Sequence, residues 1–186
     1  MKKLNLASGQ RPFPAPWINV DLIKQFDSSG KEYQMDIQAD IRKLPMVEDN
    51  SCDLLVAHHC VEHIQLNDLL DTAREWHRIL KPGGKLAVFV PNARALAEAW
   101  LAGRIDNFIF LVNMYGAYQG HYEDTHKWNF DHNELVDRLS GWDGKGRAID
   151  WQVRDIDHNV LSEPIYQGSN CSLDWWILAV EFTKKG

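Results

Sequence analysis

Apolar segments separated by polar turns run along the chain, and they predict a sheet with helices packed against it. Segments 4–7 and 18–22 are typical of short strands, and alternating apolar residues predict a half-buried third strand over 35–41. Continuous apolar runs at 53–57 and 86–90 are typical of central parallel strands that are covered on both faces. Because strands alternate with helical segments, we predict a mostly parallel sheet of the α/β class.

A helix is predicted between the last two of these strands. Apolar residues recur at i, i+3 and i+4 between Leu66 and Leu80, which predicts a helix with Asn67 as its N-cap. The helix is expected to end at a turn over 81–84, because proline cannot continue it and glycine suits the turn.

A second helix is predicted over 93–102, with Asn92 as its N-cap and Gly103 directly after its end. Residues 104–130 are rich in aromatic residues, glycine and histidine but have no clean periodicity. We therefore expect a partly irregular insertion there.

Regular structure resumes at Asp131, which has Glu134 in capping-box spacing and predicts a short helix that ends at Gly141. Two further strands are predicted around 149–153 and 173–182. They are expected to close the sheet as an antiparallel pair.

The connection between the first two strands is too short for a helix. It has only eight residues, 10–17, with prolines at alternate positions. Eight helical residues would rise only about 12 Å, whereas the return along one strand needs about 17 Å. An extended chain covers that distance at about 3.3 Å per residue. We therefore predict no helix here, with Phe13 or Trp17 covering the sheet instead.

Composition narrows the class of protein. The 186 residues are expected to form one domain, 1–186. Acidic residues number 26 against 20 basic ones, and no basic patch is visible, so no nucleic-acid partner is expected. No apolar segment approaches the roughly 20 residues of a membrane span, and no signal-peptide core is visible, so we expect a cytoplasmic protein without a membrane partner. The three cysteines form no CxxC pair and are expected to be free. The oligomeric state stays open.

Small and acidic residues follow the predicted strands at the edge where doubly wound sheets bind ligands. Residues 7–9 follow the first strand and let a ligand approach the backbone. Asp21 ends the second strand and can accept hydrogen bonds from vicinal hydroxyls such as those of a ribose. Asp40 can accept from an exocyclic amine, and Ile41 can cover a flat ring. Residues 58–63 follow the fourth strand to the same rim, and the set predicts a pocket for an adenosine-like ligand.

This ordered series resembles the class I S-adenosylmethionine-dependent methyltransferases, in particular the small type 11-like branch. The resemblance covers roughly residues 1–140, and its specificity lies in the order and spacing of its segments. These segments are 4–9, 17–21, 40–45, 59–63, 75–76, 78–84, 90–92, 126–128 and 134–135. The resemblance implies a three-layer Rossmann-like methyltransferase sheet, here mostly parallel, with an antiparallel carboxyl-terminal strand pair and without the first crossover helix.

The resemblance implies S-adenosylmethionine as the cofactor and methyl transfer to the oxygen or nitrogen of a small-molecule acceptor. It implies that residues 7–9 face the methionyl part, that Asp21 holds the ribose and that Asp40 and Ile41 flank the adenine. It also implies that His58 and His59 lie beside the transferred methyl. The cofactor-binding residues expected on this basis are Asn5, Ala7, Ser8, Gly9, Asp21, Leu22, Asp40, Ile41 and His58.

Two features depart from the family pattern. Most members carry an acidic residue where Asn5 stands and glycine where Ala7 stands, and the helix that usually faces the cofactor is predicted to be missing. An amide lacks the full negative charge that favours the methionyl ammonium. These departures keep a second interpretation open, a non-catalytic binding or scaffold protein with a degenerate methyltransferase fold.

Histidines supply the candidate catalytic groups. A hydroxyl acceptor needs a general base, and histidine suits this task near neutral pH, so His59 and His126 are the candidate catalytic residues. One further group is either a set of surface and packing residues or the wall of an acceptor pocket: His121, His126 and His132 with Tyr122 and Trp128. No metal site is expected at 58–63, because His58 and His59 point in different directions and no HExxH or CxxC spacing accompanies them.

The remaining alternatives are weaker. Glu62 is interpreted as a structural residue that ties a helix start. A nicotinamide-dependent oxidoreductase is disfavoured because no GxGxxG opens a helix after the first strand. A metal-dependent hydrolase is disfavoured because the histidines lack ligand spacing.

Overall fold

A computed structural model describes residues 1–117 and 122–186, and it contains a seven-stranded mixed sheet in these ranges. In chain order the strands are β1 (Lys3–Leu6), β2 (Ile18–Asp21), β3 (Ile37–Gln38), β4 (Cys52–His58), β5 (Leu80–Pro91), β6 (Trp151–Asp155) and β7 (Ile177–Lys184). Their order across the sheet is β3-β2-β1-β4-β5-β7-β6. The first five strands pair in parallel, and β7 pairs antiparallel with β5 and β6, which confirms the predicted α/β class and the antiparallel closing pair. Strand order reverses between β1 and β4, so ligands are expected at the carboxyl ends of these strands.

Five α-helices lie within the described ranges. They are α1 (Leu69–Ile79), α2 (Ala93–Leu101), α3 (Asn107–Tyr115), α4 (His132–Ser140) and α5 (His158–Leu161). Asn92 accepts from Ala95 N at 3.1 Å and Asp131 accepts from Glu134 N at 2.9 Å, which confirms both predicted N-caps. The three cysteines are free, as predicted. None of the helices in the described part of the chain has the length and apolar character that crossing a membrane requires.

The two faces of the sheet are covered differently. One face packs against α1 and α4, where Trp76 and Leu139 are fully buried. The opposite face packs against Phe13, Trp17 and Tyr166, which come from loops and a 3-10 turn. The three layers follow the prediction, but the second covering layer consists mainly of loops because the crossover that usually carries a helix is too short.

No helix connects β1 to β2, as the short proline-rich connection predicts; residues 10–17 are all described. Phe13 and Trp17 are both buried, and their rings meet edge to face with centroids 4.9 Å apart. Asn19 ties this loop to the sheet. Its Oδ1 accepts from Phe13 N at 2.8 Å and from Asn5 Nδ2 at 2.9 Å, and its Nδ2 donates to Phe13 O at 3.0 Å. One buried amide therefore joins β1, β2 and the loop between them.

Both predicted ends of the first long helix are wrong. Leu66–Asp68 form a 3-10 turn, so α1 begins after Asp68 and Asn67 lies inside the turn instead of capping the helix. Residues 81–84 belong to β5, where they form an irregularity in its pairing with β4. Gly83 adopts a φ of 77°, which lets the strand absorb the extra residues.

Two further predictions need correction. The third strand is shorter than expected, because only Ile37–Gln38 pair with β2 at the edge of the sheet. The insertion contains α3 as well as irregular segments. Phe108, Ile109 and Leu111 of α3 are exposed although they are apolar, so this helix has no polar face that periodicity could detect.

Candidate functional site

Two cavities open at the carboxyl edge of the sheet, beside the ends of β1 and β4. The smaller one, of about 270 Å³, has Asp21 and Asp40 in its wall, and we call it the aspartate cavity. The larger one, of about 490 Å³, has His58 and His126 in its wall, and we call it the histidine cavity. The residues that line both cavities are Ala7, Gly9 and His59. The two cavities therefore meet where β1 and β4 end.

Asp21, the last residue of β2, is held by two backbone amides. Gly9 N donates to its Oδ2 at 2.6 Å, and Ile23 N donates to its Oδ1 at 3.1 Å. These bonds fix the loop after β1 against the end of β2. A carboxylate offers about four lone-pair sites, so Asp21 keeps acceptor capacity toward the cavity.

Asp40 lines the same cavity and is paired with Arg42. Arg42 Nη2 donates to Asp40 Oδ2 at 2.7 Å, and Arg42 Nε lies 3.0 Å from both carboxylate oxygens. The hydrogen bonds from this guanidinium lower the pKa of Asp40. Ile41 is buried beside it, and Leu22 is exposed at the cavity. The two predicted aspartates thus lie around a single cavity, together with Gly9.

The loop after β1 follows a backbone path that favours glycine. The φ angles are 52° at Ala7 and 50° at Gly9, in the left-handed region. A residue with a Cβ is disfavoured there by about 1–2 kcal/mol. Ala7 therefore adopts a glycine conformation at the position where the family usually has glycine. Ser8, between the two, is buried and donates its N–H to Val20 O at 3.1 Å.

Asn5 is buried, and its side-chain amide is engaged on both sides of the loop. Asn5 Nδ2 donates to Asn19 Oδ1 at 2.9 Å and to Arg11 O at 3.2 Å. A carboxylate at this position would face two acceptor oxygens without a hydrogen to donate. The amide therefore suits this helix-free loop better than the acidic residue of most family members does.

His58, at the end of β4, lines the histidine cavity in a neutral form. Its ring lies 5.2 Å from the ring of Phe89, measured between centroids. Burial lowers the pKa of His58 to about 4, so the ring carries no charge near neutral pH. Its Nε2 is buried and has no hydrogen-bond partner among the residues that the structure describes.

His59 and Glu62 form a close pair at the meeting point of the cavities. His59 Nδ1 lies 3.2 Å from Oε1 of Glu62, a side chain that is only 1% exposed. Burial alone would raise the pKa of Glu62, but the hydrogen bond from His59 and the charges of His59, His63 and His126 together lower it. An ionised carboxylate can only accept, so Nδ1 of His59 carries a hydrogen, and Nε2 is the ring nitrogen left to exchange a proton with a ligand.

His126 reaches the histidine cavity from the insertion. Lys127 N and Trp128 N donate to Glu62 O at 2.7 and 3.3 Å, which docks this part of the insertion on the turn after β4. Burial lowers the pKa of His126. His121, the other insertion histidine considered above, lies outside the described residues.

Every sequence-predicted site residue lines at least one of the two cavities. Apart from the three shared residues, Asp21, Leu22, Asp40 and Ile41 line the aspartate cavity, and Asn5, Ser8, His58 and His126 line the histidine cavity. Sequence reasoning did not place three residues at the site. Glu62, interpreted above as structural, contacts His59, and their i, i+3 spacing was a usable signal for this pair. Asp174 and Trp176 line the histidine cavity from the segment before β7. The only sequence signal near them is the pair of tryptophans, Trp175 and Trp176, directly before this strand.

A family model described as a methyltransferase domain matches residues 7–88. This range contains the loop after β1, both cavity aspartates and the turn with His59 and Glu62. No curated protein sequence matches the chain at a significant level.

Solved structures share the fold at low sequence identity. An S-adenosylmethionine-dependent methyltransferase from Archaeoglobus fulgidus is 15% identical with a TM-score of 0.57, covering 98% of this chain and 86% of that one. A second S-adenosylmethionine-dependent methyltransferase, from Mesorhizobium loti, is 18% identical with a TM-score of 0.53, and the match covers 98% of this chain and 90% of that one. A Thermotoga maritima methyltransferase, described as a possible histamine N-methyltransferase, is 16% identical with a TM-score of 0.54, covering 99% and 82%. These structures confirm the predicted Rossmann-like methyltransferase fold.

Proposed function

We propose that this chain is a class I S-adenosylmethionine-dependent methyltransferase, in keeping with the methyltransferase-domain model that matches residues 7–88, and that it methylates an oxygen or nitrogen of a small molecule held in the histidine cavity. The observation that carries the proposal is the meeting of the two cavities at Ala7, Gly9 and His59. A donor whose nucleoside fills the aspartate cavity presents its reactive end where the histidine cavity begins.

The aspartate cavity suits the nucleoside of S-adenosylmethionine, the cofactor of these enzymes. Asp21 would accept hydrogen bonds from the ribose hydroxyls with its remaining lone pairs. Ile41 would cover the adenine ring, and Asp40 would accept from the exocyclic amine beside its pairing with Arg42. Residues 7–9 carry no long side chain, so a ligand can approach their backbone closely.

The methionyl end would lie on the histidine-cavity side of the β1 loop. Arg11 lines this cavity and is exposed, so its guanidinium is available to a carboxylate. The Asn5 amide is engaged by Asn19 and by the Arg11 carbonyl, so it serves to hold the loop under the ligand.

Bound S-adenosylmethionine supplies an electrophilic methyl group on a sulfonium. The tasks of the chain are to align the acceptor, to exclude water and to accept a proton. We assign the proton to Nε2 of His59, because Glu62 fixes the opposite ring nitrogen and the ring lines both cavities. His126 lines the acceptor side and is the second candidate base.

The size and wall of the histidine cavity favour a small acceptor that carries a ring and polar groups. A volume of about 490 Å³ is typical of small-molecule sites. Trp176 lies 5.4 Å from the His59 ring between centroids, and Asp174 adds a carboxylate to the same wall. Because one structural neighbour is described as a possible histamine N-methyltransferase, ring-bearing amines are the first acceptors to test.

Calorimetric titration with S-adenosylhomocysteine, followed by turnover with amines, imidazoles and phenols, tests the proposal. His59→Asn is the informative variant, because His59 has a φ of 52° and asparagine tolerates this conformation. We expect kcat to fall about 10²- to 10³-fold through loss of the base, with the Kd for S-adenosylhomocysteine changed less than about threefold. His158→Ala, in the exposed α5, is the control and should match the wild type.

Two results would contradict the proposal. Lack of S-adenosylhomocysteine binding by the wild-type protein would favour the degenerate binding or scaffold protein. Binding with undiminished turnover in His59→Asn would remove His59 from proton transfer, and the same substitution at His126 would then test the second candidate.

A further inference from the structure

Glu62, His63 and His126 form a group of metal-ligand side chains between the two cavities. One potential ligand atom from each residue lies within 4.8 Å of the other two. Glu62 and His63 belong to a 3-10 turn after β4, whereas His126 comes from the insertion. The backbone hydrogen bonds to Glu62 O hold these two segments together, so the grouping is built into the fold.

Two of these side chains have buried polar atoms without partners. Glu62 Oε2 and His126 Nδ1 have no hydrogen-bond partner among the described residues, although the Glu62 side chain is only 1% exposed. Leaving a buried carboxylate oxygen unpaired is costly, so such an atom points to a bound ion or water. Oε1 of the same carboxylate is already engaged by His59, which leaves Oε2 as the free ligand atom.

His63 is oriented in the way that metal-binding histidines usually are. Its Nδ1 lies 2.6 Å from the carbonyl oxygen of Glu123. A carbonyl can only accept, so Nδ1 carries the hydrogen and Nε2 keeps its lone pair. A backbone carbonyl bonded to the second ring nitrogen is the arrangement that fixes the tautomer of histidine ligands.

We propose that Glu62, His63 and His126 bind one divalent ion of the zinc class. Two imidazoles and one carboxylate suit zinc and its transition-metal neighbours, whereas magnesium and calcium prefer oxygen ligands. Three protein ligands are typical of sites that keep a further coordination position open. This proposal departs from the sequence expectation of no metal, because one of its ligands comes from the distant insertion, which no local spacing could indicate.

Ion binding would draw the three side chains together. Zinc–nitrogen and zinc–oxygen bonds of about 2.0–2.2 Å place ligand atoms about 3.4 Å apart in a tetrahedral site. Side-chain movements of about 1 Å close the difference from the present spacing, and His63 and His126 are half-buried at the cavity walls where such movements are possible.

The open position lies beside the histidine cavity, which His126 lines. The role of the ion, which rests on the proposed function, is to hold the acceptor oxygen or nitrogen next to His59. Binding of the ion itself does not depend on that function.

Titration of the chelator-treated, desalted 186-residue chain tests the site. Zn²⁺ is followed by calorimetry and Co²⁺ by visible absorption, and we expect one ion per chain. Glu62→Gln, His63→Ala and His126→Ala should each weaken Co²⁺ binding at least 100-fold. His132→Ala and His158→Ala, which change histidines outside both cavities, should bind Co²⁺ like the wild type. Thermal unfolding confirms that each variant is folded, and Glu62→Gln keeps an acceptor for His59.

Three results would overturn the ion site: no Co²⁺ or Zn²⁺ binding by the wild type, wild-type binding by folded His63→Ala and His126→Ala, or equally tight binding of Mg²⁺. Titration with S-adenosylhomocysteine separates this proposal from the proposed function. If S-adenosylhomocysteine binds but the ion does not, only the ion site is contradicted. If the ion binds but S-adenosylhomocysteine does not, only the methyltransferase proposal is contradicted.

Discussion

The two cavities share one rim but are built in different ways. The walls of the aspartate cavity come mostly from residues directly after β1, β2 and β4 and from the short segment after β3. The insertion completes the aspartate cavity with Tyr122, Glu123, Asp124 and Lys127. The histidine cavity takes a larger share of its walls from distant segments, namely α3, the insertion around His126 and the segment before β7. The first cavity therefore depends mainly on where strands end, and the second depends more on how distant segments dock.

Under the proposed function, this difference separates the half of the site that would bind the cofactor from the half that would bind the acceptor. Parallel strands place their carboxyl ends at one edge whatever follows them, so a binding surface made of strand ends is conserved by the topology itself. Docked segments can change without disturbing the sheet, because loops tolerate substitution and insertion. If the histidine cavity binds the acceptor as proposed, acceptor specificity can be altered there with little loss of stability.

Asp21→Ala should have the largest effect on cofactor binding of the three substitutions below, because Asp21 lines the aspartate cavity. The substitution removes the predicted ribose acceptor and leaves Gly9 N and Ile23 N without their present acceptor. We expect the Kd for S-adenosylhomocysteine to rise at least 100-fold in calorimetry, equivalent to about 2.7 kcal/mol.

The matched control is Asp27→Ala. Asp27 also accepts from two backbone amides, those of Ser29 at 2.8 Å and Lys31 at 3.0 Å, but in a turn outside both cavities. Equal loss of binding in both variants would show that loop disruption, and not a ligand contact, explains the effect of Asp21→Ala.

Trp176→Ala should have an intermediate effect, confined to the histidine cavity. It removes an aromatic wall beside His59, so the KM for the acceptor is expected to rise about tenfold through lost packing. The Kd for S-adenosylhomocysteine should stay within about twofold. Trp175→Ala is the control, because this neighbouring tryptophan is 56% exposed and lines neither cavity. If Trp176→Ala also raised the Kd for S-adenosylhomocysteine about tenfold, the division of the site into two halves would be contradicted.

Ala7→Gly, at the point where the two cavities meet, should have the smallest effect, a modest gain in stability. Glycine relieves the left-handed conformation at Ala7, which is worth about 1 kcal/mol, so the melting temperature should rise by about 2–4 °C. Ala97→Gly, inside α2, should instead lower it by a similar amount. A fall in melting temperature for Ala7→Gly would show that the methyl group of Ala7 makes a favourable contact.

Much of the sheet and the strand-end part of the aspartate cavity could be predicted from the sequence. Apolar runs locate β1, β2, β4 and β5, and Asp21 and Asp40 then follow from their places near strand ends. The missing crossover helix was also predictable, because the reach of eight residues is a matter of geometry.

Other features depend on tertiary structure that the chain does not display locally. The helix α3 escaped detection because its exposed side chains are apolar, which removes the period-3.6 contrast. Asn67 suits an N-cap by residue type, but a 3-10 turn over Leu66–Asp68 places the start of α1 after it. The closeness of His63 and His126 results from backbone bonds between the turn and the insertion, which no sequence spacing encodes.

The Asn19 amide couples three segments that a helix would otherwise separate. The Asn19 side chain forms hydrogen bonds with Asn5 and with the backbone of Phe13. If the proline-rich loop detached, the amide groups of Asn5 in β1 and Asn19 in β2 would lose hydrogen-bond partners. Local opening at this edge should therefore be cooperative, with the loop and the two strand edges released as one unit. This unit lies beside residues 7–9, which approach the cofactor in the proposed function, so cofactor binding there would stabilise the closed state of this edge.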